Sequence, residues 1–244
     1  MPITIIVQKL RRLLRLAFEE ADGPLPIFFV GLTIVAGMVD ALSFLRLGEV
    51  FVANMTGNVV LLGFSISGVQ GFSATAHLAA LAAFILGAAL GGRLVVAFGH
   101  HRGRLLAVVA AVKCGFAATA VCLSLLLAQP DAPELRYALI VLLATSMGLQ
   151  NAGVRHLRMP DLTTTVLTTT ITTFASDLSV AGATSKQLIR RILSVLLVFI
   201  GAAAGAVVLK LAGVTAVLIL NLLLLASMAI GAFRLWSSRE PWTR

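Results

Sequence analysis

VFVANMTGNVVLLG, residues 50–63, and PDLTTTVLTTTITTF, residues 160–174, decide how this chain folds. Both are polar interruptions in a very apolar sequence, and each follows one long hydrophobic segment and precedes two more. The apolar core of the first, residues 59–66, would span only about 12 Å as helix, against a hydrocarbon layer of roughly 30 Å. The second carries eight threonines between Thr163 and Thr173. Neither reads as an ordinary lipid-facing span. The pattern is that of a duplicated membrane unit with a broken, polar element in each half.

Composition sets the class. With 59% hydrophobic residues, 12% charged residues and a mean hydropathy of +1.01, 244 residues have too little polar surface to cover a soluble globule. The lipid bilayer is therefore the first expected partner. The formal charge of +9 sits in short clusters between apolar runs rather than along one surface, which argues against nucleic acid and for loop charges that orient spans. Cys114 and Cys122 lie eight residues apart in one apolar run, about 12 Å on a helix and beyond disulfide reach. No spacing of Cys and His suggests a metal, and no cofactor-binding loop or nucleophile–base pair suggests an enzyme.

Six apolar runs are long enough to cross the membrane as helices: residues 25–45, 74–98, 105–128, 135–154, 192–211 and 214–235. If the two polar stretches enter the membrane and return, a cytoplasmic N-terminus puts 15 Lys and Arg inside and 3 outside, with Lys113 within a span. If both stretches cross fully, the division weakens to 11 against 7. The positive-inside bias favours the first arrangement, with both termini cytoplasmic. Three spans per repeat is an odd number, so the second repeat starts on the opposite side from the first. The expected fold is all-α, with six transmembrane helices and two re-entrant broken-helix elements forming two inverted three-span repeats.

Two pairs of motifs support the duplication. GMVDA at 37–41 corresponds to GLQNA at 148–152, and ILGAALGG at 85–92 to FIGAAAGA at 199–206, offsets of 111 and 114 residues. Gly87, Gly91, Gly201 and Gly205 supply small faces for close helix packing. The expected organisation is an amphipathic cytoplasmic segment at 1–23, a first repeat at 24–128 with its re-entrant element near 48–70, and an extracytoplasmic loop at 129–134. A second repeat at 135–236, with its element near 160–179, and a cytoplasmic tail at 237–244 complete it. Residues 3–18 alternate apolar residues with Lys9, Arg11, Arg12 and Arg15, as an interfacial helix does, and lack the small-residue site of a cleavable signal. Trp236 and Trp242 suit a membrane interface.

GMVDALSFLRLGEVFVANMTGNVVLLG, residues 37–63, closely resembles the first signature of the YoaK family, also called DUF1275, of bacterial multi-pass membrane proteins. MGLQNAGVR at 147–155, followed by the Thr-rich stretch, resembles the second. The resemblance covers residues 23–236 and implies a multi-pass architecture, with family members described as permeases or left without an activity. Where the family's second half carries a Thr-Gly-Thr turn, this chain reads Thr168-Thr169-Thr170 and lacks that glycine's easy positive φ.

Chemistry must come from polar residues at depth. Asp40, about 20 Å along a helix from Pro26, is either a proton- or cation-coupling carboxylate facing a pathway or a structural acid that satisfies backbone donors of the broken helix. Asn54, Thr56 and Asn58, with Gly57 allowing close backbone approach, can end extended backbone and start a short helix at Val59. The free N–H groups of that helix favour an anion or a carbonyl-bearing solute. Thr165, Thr168 and Thr170 take the same place in the second element, unless they bond their own helix carbonyls. Gln150 and Asn151 extend the polar lining, with Ser43 and Asp177 as further candidates. His77 is expected at an interface or on its own helix, Lys113 to snorkel toward the basic side, and Asn221 to bond between helices. The expected function is a permease or secondary transporter for an unidentified small solute, with proton or cation coupling and room for a homo-oligomer. A passive channel and a non-transport packing or assembly protein are the alternatives.

Overall fold

A computed structural model describes residues 23–127, 132–157, 172 and 185–243, and among these the regular structure is entirely helical. The expected N-terminal helix at 3–18 and all but Thr172 of the 160–174 stretch lie outside the described residues. Helix α1, Leu25–Arg46, carries Pro26 in its first turn, where a missing N–H costs no hydrogen bond. It ends as Leu47 N–H bonds Ser43 O at 2.9 Å and Glu49 N–H bonds Phe44 O at 3.2 Å. A short helix α2, Met55–Ile66, and four longer elements follow: α3, Ala74–Phe98; α4, Arg102–Leu126; α5, Pro133–Leu157; and α6, Ser185–Arg234. Ser73 Oγ caps α3 through Ala76 N–H at 3.3 Å and His101 Nδ1 caps α4 through Arg104 N–H at 3.2 Å. Glu134 in the first turn of α5 and Arg155 and His156 in its last complement the helix dipole.

At 50 residues α6 would be about 75 Å long if straight, far more than a bilayer accommodates. The backbone breaks at Gly213, with φ 81° and ψ −175°, a conformation that essentially only glycine adopts. The limb after the break runs antiparallel to α4: Thr215 Oγ1 lies 2.7 Å from Ser124 Oγ near the end of α4, and Leu235 O packs on Gly103 at its start. The α6 element thus supplies two membrane-length limbs, matching the two runs read at 192–211 and 214–235.

The helices sort by enclosure. Of an 18-residue apolar stretch of α1, 67% is buried inside the protein, against 17% of such a stretch in α3, so α1 is central and α3 peripheral. The large apolar side chains that α3 exposes are Leu78, Ile85, Leu86 and Val96, as a lipid-facing surface requires. Small residues hold the crossings. Gly37 of α1 faces Val198 O of α6, and Gly201 and Gly205 of α6 face Ile34 O and Met38 O of α1. Gly148 of α5 faces Phe84 O of α3, and Gly87 and Gly91 of α3 face Thr145 O and Leu149 O of α5. Each contact in one crossing has its counterpart in the other, at the offsets of 111 and 114 residues that separate the sequence motifs. With so little side chain between them the backbones touch, which is how helices adhere in lipid.

Both ends of the segment between α1 and α3 lie at the start of α5. Gly48 sits beside Arg136, whose Nη1 would be 3.8 Å from an added Cβ, and Thr75 Oγ1 is 2.7 Å from Tyr137 Oη. At the opposite end of the bundle, His101 Nδ1 already accepts from Arg104 N–H, so its Nε2–H donates to Ser238 O at 2.9 Å. Arg104 Nε donates to Trp236 O at 3.3 Å, and Trp242 packs under Gly23.

Candidate functional site

After α1 the chain doubles back along the helix it has just left. Asp40 lies six residues before Arg46, about 9 Å below the end of α1, and its Oδ1 accepts from Val52 N–H at 2.9 Å and Ala53 N–H at 2.7 Å. Asn58 clamps the same segment from the other side: Oδ1 accepts from Phe51 N–H at 2.9 Å and Nδ2 donates to Phe51 O at 2.6 Å. His77 Nδ1 stands 3.4 Å from Asn58 Oδ1. The spacing of ANMTGN follows from this clamp. A Cβ at Gly57 would lie 2.7 Å from the Phe51 ring, which stacks on Phe44 with centroids 4.9 Å apart, so only glycine lets the two segments close.

Helix α2 starts at Met55, four residues before the expected Val59, so Thr56, Gly57 and Asn58 belong to its first turn. Asn54 occupies the N-cap position without a side-chain cap, and both Asn54 and Thr56 are exposed. The first-turn N–H groups of α2 are thus left for other partners.

The candidate residues divide into two clusters. Asp40, Ser43, Asn54, Thr56, Gly57 and Asn58 are brought together at the start of α2, with Asp40 holding backbone donors as the structural alternative required. Those donors belong to the extended segment before α2, not to the helix itself. Ser43 is fully buried and its hydroxyl bonds Asp40 O at 3.2 Å, so it serves its own helix. Gln150 is elsewhere, fully buried on α5, and Asn151 beside it is half-buried. Thr165, Thr168, Thr170 and Asp177 lie outside the described residues.

The second cluster overturns one expectation. Lys113 does not snorkel: it is 0% exposed, and its Nζ donates to Gln150 Oε1 at 2.6 Å and to Met147 Sδ at 3.5 Å. Its place 11 residues into α4, about 16 Å from the helix start, explains why. The stem is too deep for the head to reach water, so the ammonium takes the nearest acceptor. An ammonium at this depth costs about 3 kcal/mol on insertion scales, which a polar neighbour partly offsets. Gln150 Nε2 is buried with no partner among the described residues. The sequence carries only part of the signal for this pair: α4 and α5 are antiparallel neighbours and both residues fall near mid-depth, but nothing in it sets which way they face. His77, in the first turn of α3, is buried as well, with Nε2 unpartnered among the described residues. Arg190, near the start of α6, is buried. Asn221, expected to bond between helices, is buried, and its Oδ1 finds no partner among the described residues.

Among the described residues, five helices long and apolar enough to cross a membrane, packed through glycine contacts and with polar groups enclosed at depth, define an α-helical multi-pass membrane protein. The chain belongs to the family described as "Protein of unknown function (DUF1275)", which it matches over residues 28–230. It is 34% identical over 153 residues to the UPF0700 transmembrane protein YoaK of Bacillus subtilis (strain 168). That match covers 61% of this chain and 64% of the relative, less than two thirds of the relative's length. The resemblance read from the two signatures is borne out. No solved structure matches.

Proposed function

We propose that the protein is a permease that moves a small solute through a site between two re-entrant half-helices, one in each of two inverted repeats. The observation that carries this reading is the start of α2, about 9 Å below the end of α1, uncapped and flanked by exposed Asn54 and Thr56. Backbone that breaks at membrane depth is tolerated where it lines water or protein, and half-helix starts of this kind bind solutes in secondary transporters. Re-entry is supported by the two ends of the α1–α3 segment, both at the start of α5. The inverted repeat is supported by the matched crossings of α1 with α6 and of α5 with α3. Two packed pairs of this kind can rock against one another and expose a central site to each side in turn. The basic-residue count supports an inner-membrane protein with both termini in the cytoplasm.

A packing role for the first element has its own support, since Asp40 and Asn58 are engaged by the segment they precede or follow. Flux separates the two readings. The purified protein in proteoliposomes should show saturable uptake and counterflow for some member of a broad solute panel. Thiol substitution of Asn54 and Thr56, in a background lacking Cys114 and Cys122, should give sites that small aqueous reagents modify. No flux, together with inert thiols, would remove the pathway; flux without saturation would make it a channel.

A further inference from the structure

We infer that Lys113 and Gln150 form an occluded oxyanion site where the two halves of the bundle meet, and that the solute carries a carboxylate. The inference rests on the permease reading and specifies its substrate class, adding a second station on the pathway apart from the start of α2. Lys113 belongs to α4, in the first half, and Gln150 to α5, in the second. Their bond of 2.6 Å therefore joins the halves, and transporters with internal repeats bind substrate at such junctions.

Donors exceed acceptors at this junction. The ammonium has three N–H donors, and its partners are one amide oxygen and the weakly accepting thioether of Met147 at 3.5 Å. Gln150 Oε1 is used by Lys113, while Nε2, on the same amide carbon, is buried and without a partner among the described residues. No acidic side chain among the described residues bonds Lys113. A carboxylate has the complementary form: one oxygen on Nζ in place of the thioether, the other on Nε2, with the charge the site lacks. Both side chains are 0% exposed, so the site is closed to both faces and becomes reachable only when α4 and α5 move apart at this point. That closure is what alternating access requires of a central site.

The test uses the full chain in proteoliposomes and lipid nanodiscs, with acetate, benzoate and succinate as probes, phosphate and chloride as inorganic anions, and glycerol as the uncharged control. A carboxylate should raise the melting midpoint and be taken up. Lys113→Met should weaken its binding at least about tenfold, the loss expected for a charge-assisted hydrogen bond. Gln150→Glu should do the same while melting no lower than wild type, because the new carboxylate supplies the missing anion from within. That variant keeps the test valid if Lys113→Met does not fold. Undiminished carboxylate affinity in Gln150→Glu would overturn the site, and binding of phosphate or chloride to the exclusion of carboxylates would overturn the substrate class. Saturable glycerol uptake indifferent to both substitutions would discard the site and keep the permease. Lys113-dependent carboxylate binding with no flux would keep the site and discard the permease.

Discussion

Alanine at Gly87 and alanine at Gly92 should have unequal effects, although both glycines lie in α3, five residues apart. A Cβ at Gly87 would land on the carbonyl oxygen of Thr145, whereas one at Gly92 meets nothing within 4 Å. The neighbouring contact sets the scale: at Gly91 the Cβ would lie 2.7 Å from Leu149 O, about 0.6 Å inside the ~3.3 Å at which carbon and carbonyl oxygen normally meet. The obstacle at Gly87 is backbone, so one helix must move rather than a side chain rotate. Overpacking of this kind costs about 1–3 kcal/mol. Replacing glycine by alanine within a helix returns up to about 1 kcal/mol, and this gain is common to both positions. Gly92→Ala should therefore be neutral or slightly stabilising, and Gly87→Ala should be less stable than Gly92→Ala by about 1–3 kcal/mol. Equilibrium unfolding of the purified protein in mixed detergent micelles, titrated with SDS, reads this difference directly. The counterpart Gly201→Ala, which meets Ile34 O, should match Gly87→Ala within about 1 kcal/mol. Equal stability of Gly87→Ala and Gly92→Ala would refute the close crossing, and a large inequality between Gly87→Ala and Gly201→Ala would refute the equivalence of the two crossings.

Asp40→Ala should release Val52 and Ala53 N–H, at about 1–3 kcal/mol each, and speed hydrogen exchange at both amides. Asp40→Asn keeps an acceptor oxygen and should stay within about 1 kcal/mol of wild type, so equal effects of the two changes would contradict the assigned role. Gly213→Ala should cost about 1–3 kcal/mol in the same SDS titration, although nothing lies within 4 Å of its Cβ position, because φ is 81°. A neutral result there would mean that the limbs of α6 join differently. Ser67→Cys and Ser185→Cys, in a background without Cys114 and Cys122, should react with an impermeant thiol reagent from opposite sides of the membrane. Labelling of both from the cytoplasmic side would require both polar stretches to cross fully.

The membrane class, the helix positions and the family could be read from the sequence because they depend on local properties. Span length follows from runs of apolar residues, and α1, α3, α4 and α5 start and stop within three residues of the expected limits. The glycine faces could be read too, since a small side chain every four residues has one main use in lipid. The partners of the polar residues could not. Asp40 and Val52 are 12 residues apart, and Lys113 and Gln150 are 37 apart. Whether each pair meets depends on where the chain turns back after α1 and on the rotation of α4 against α5. Hydropathy describes the depth of a residue in the membrane but not the direction it faces around its helix. For that reason the sequence by itself determined that a lysine and a glutamine lie near mid-membrane, and only the packing of the helices decided that they face each other rather than water.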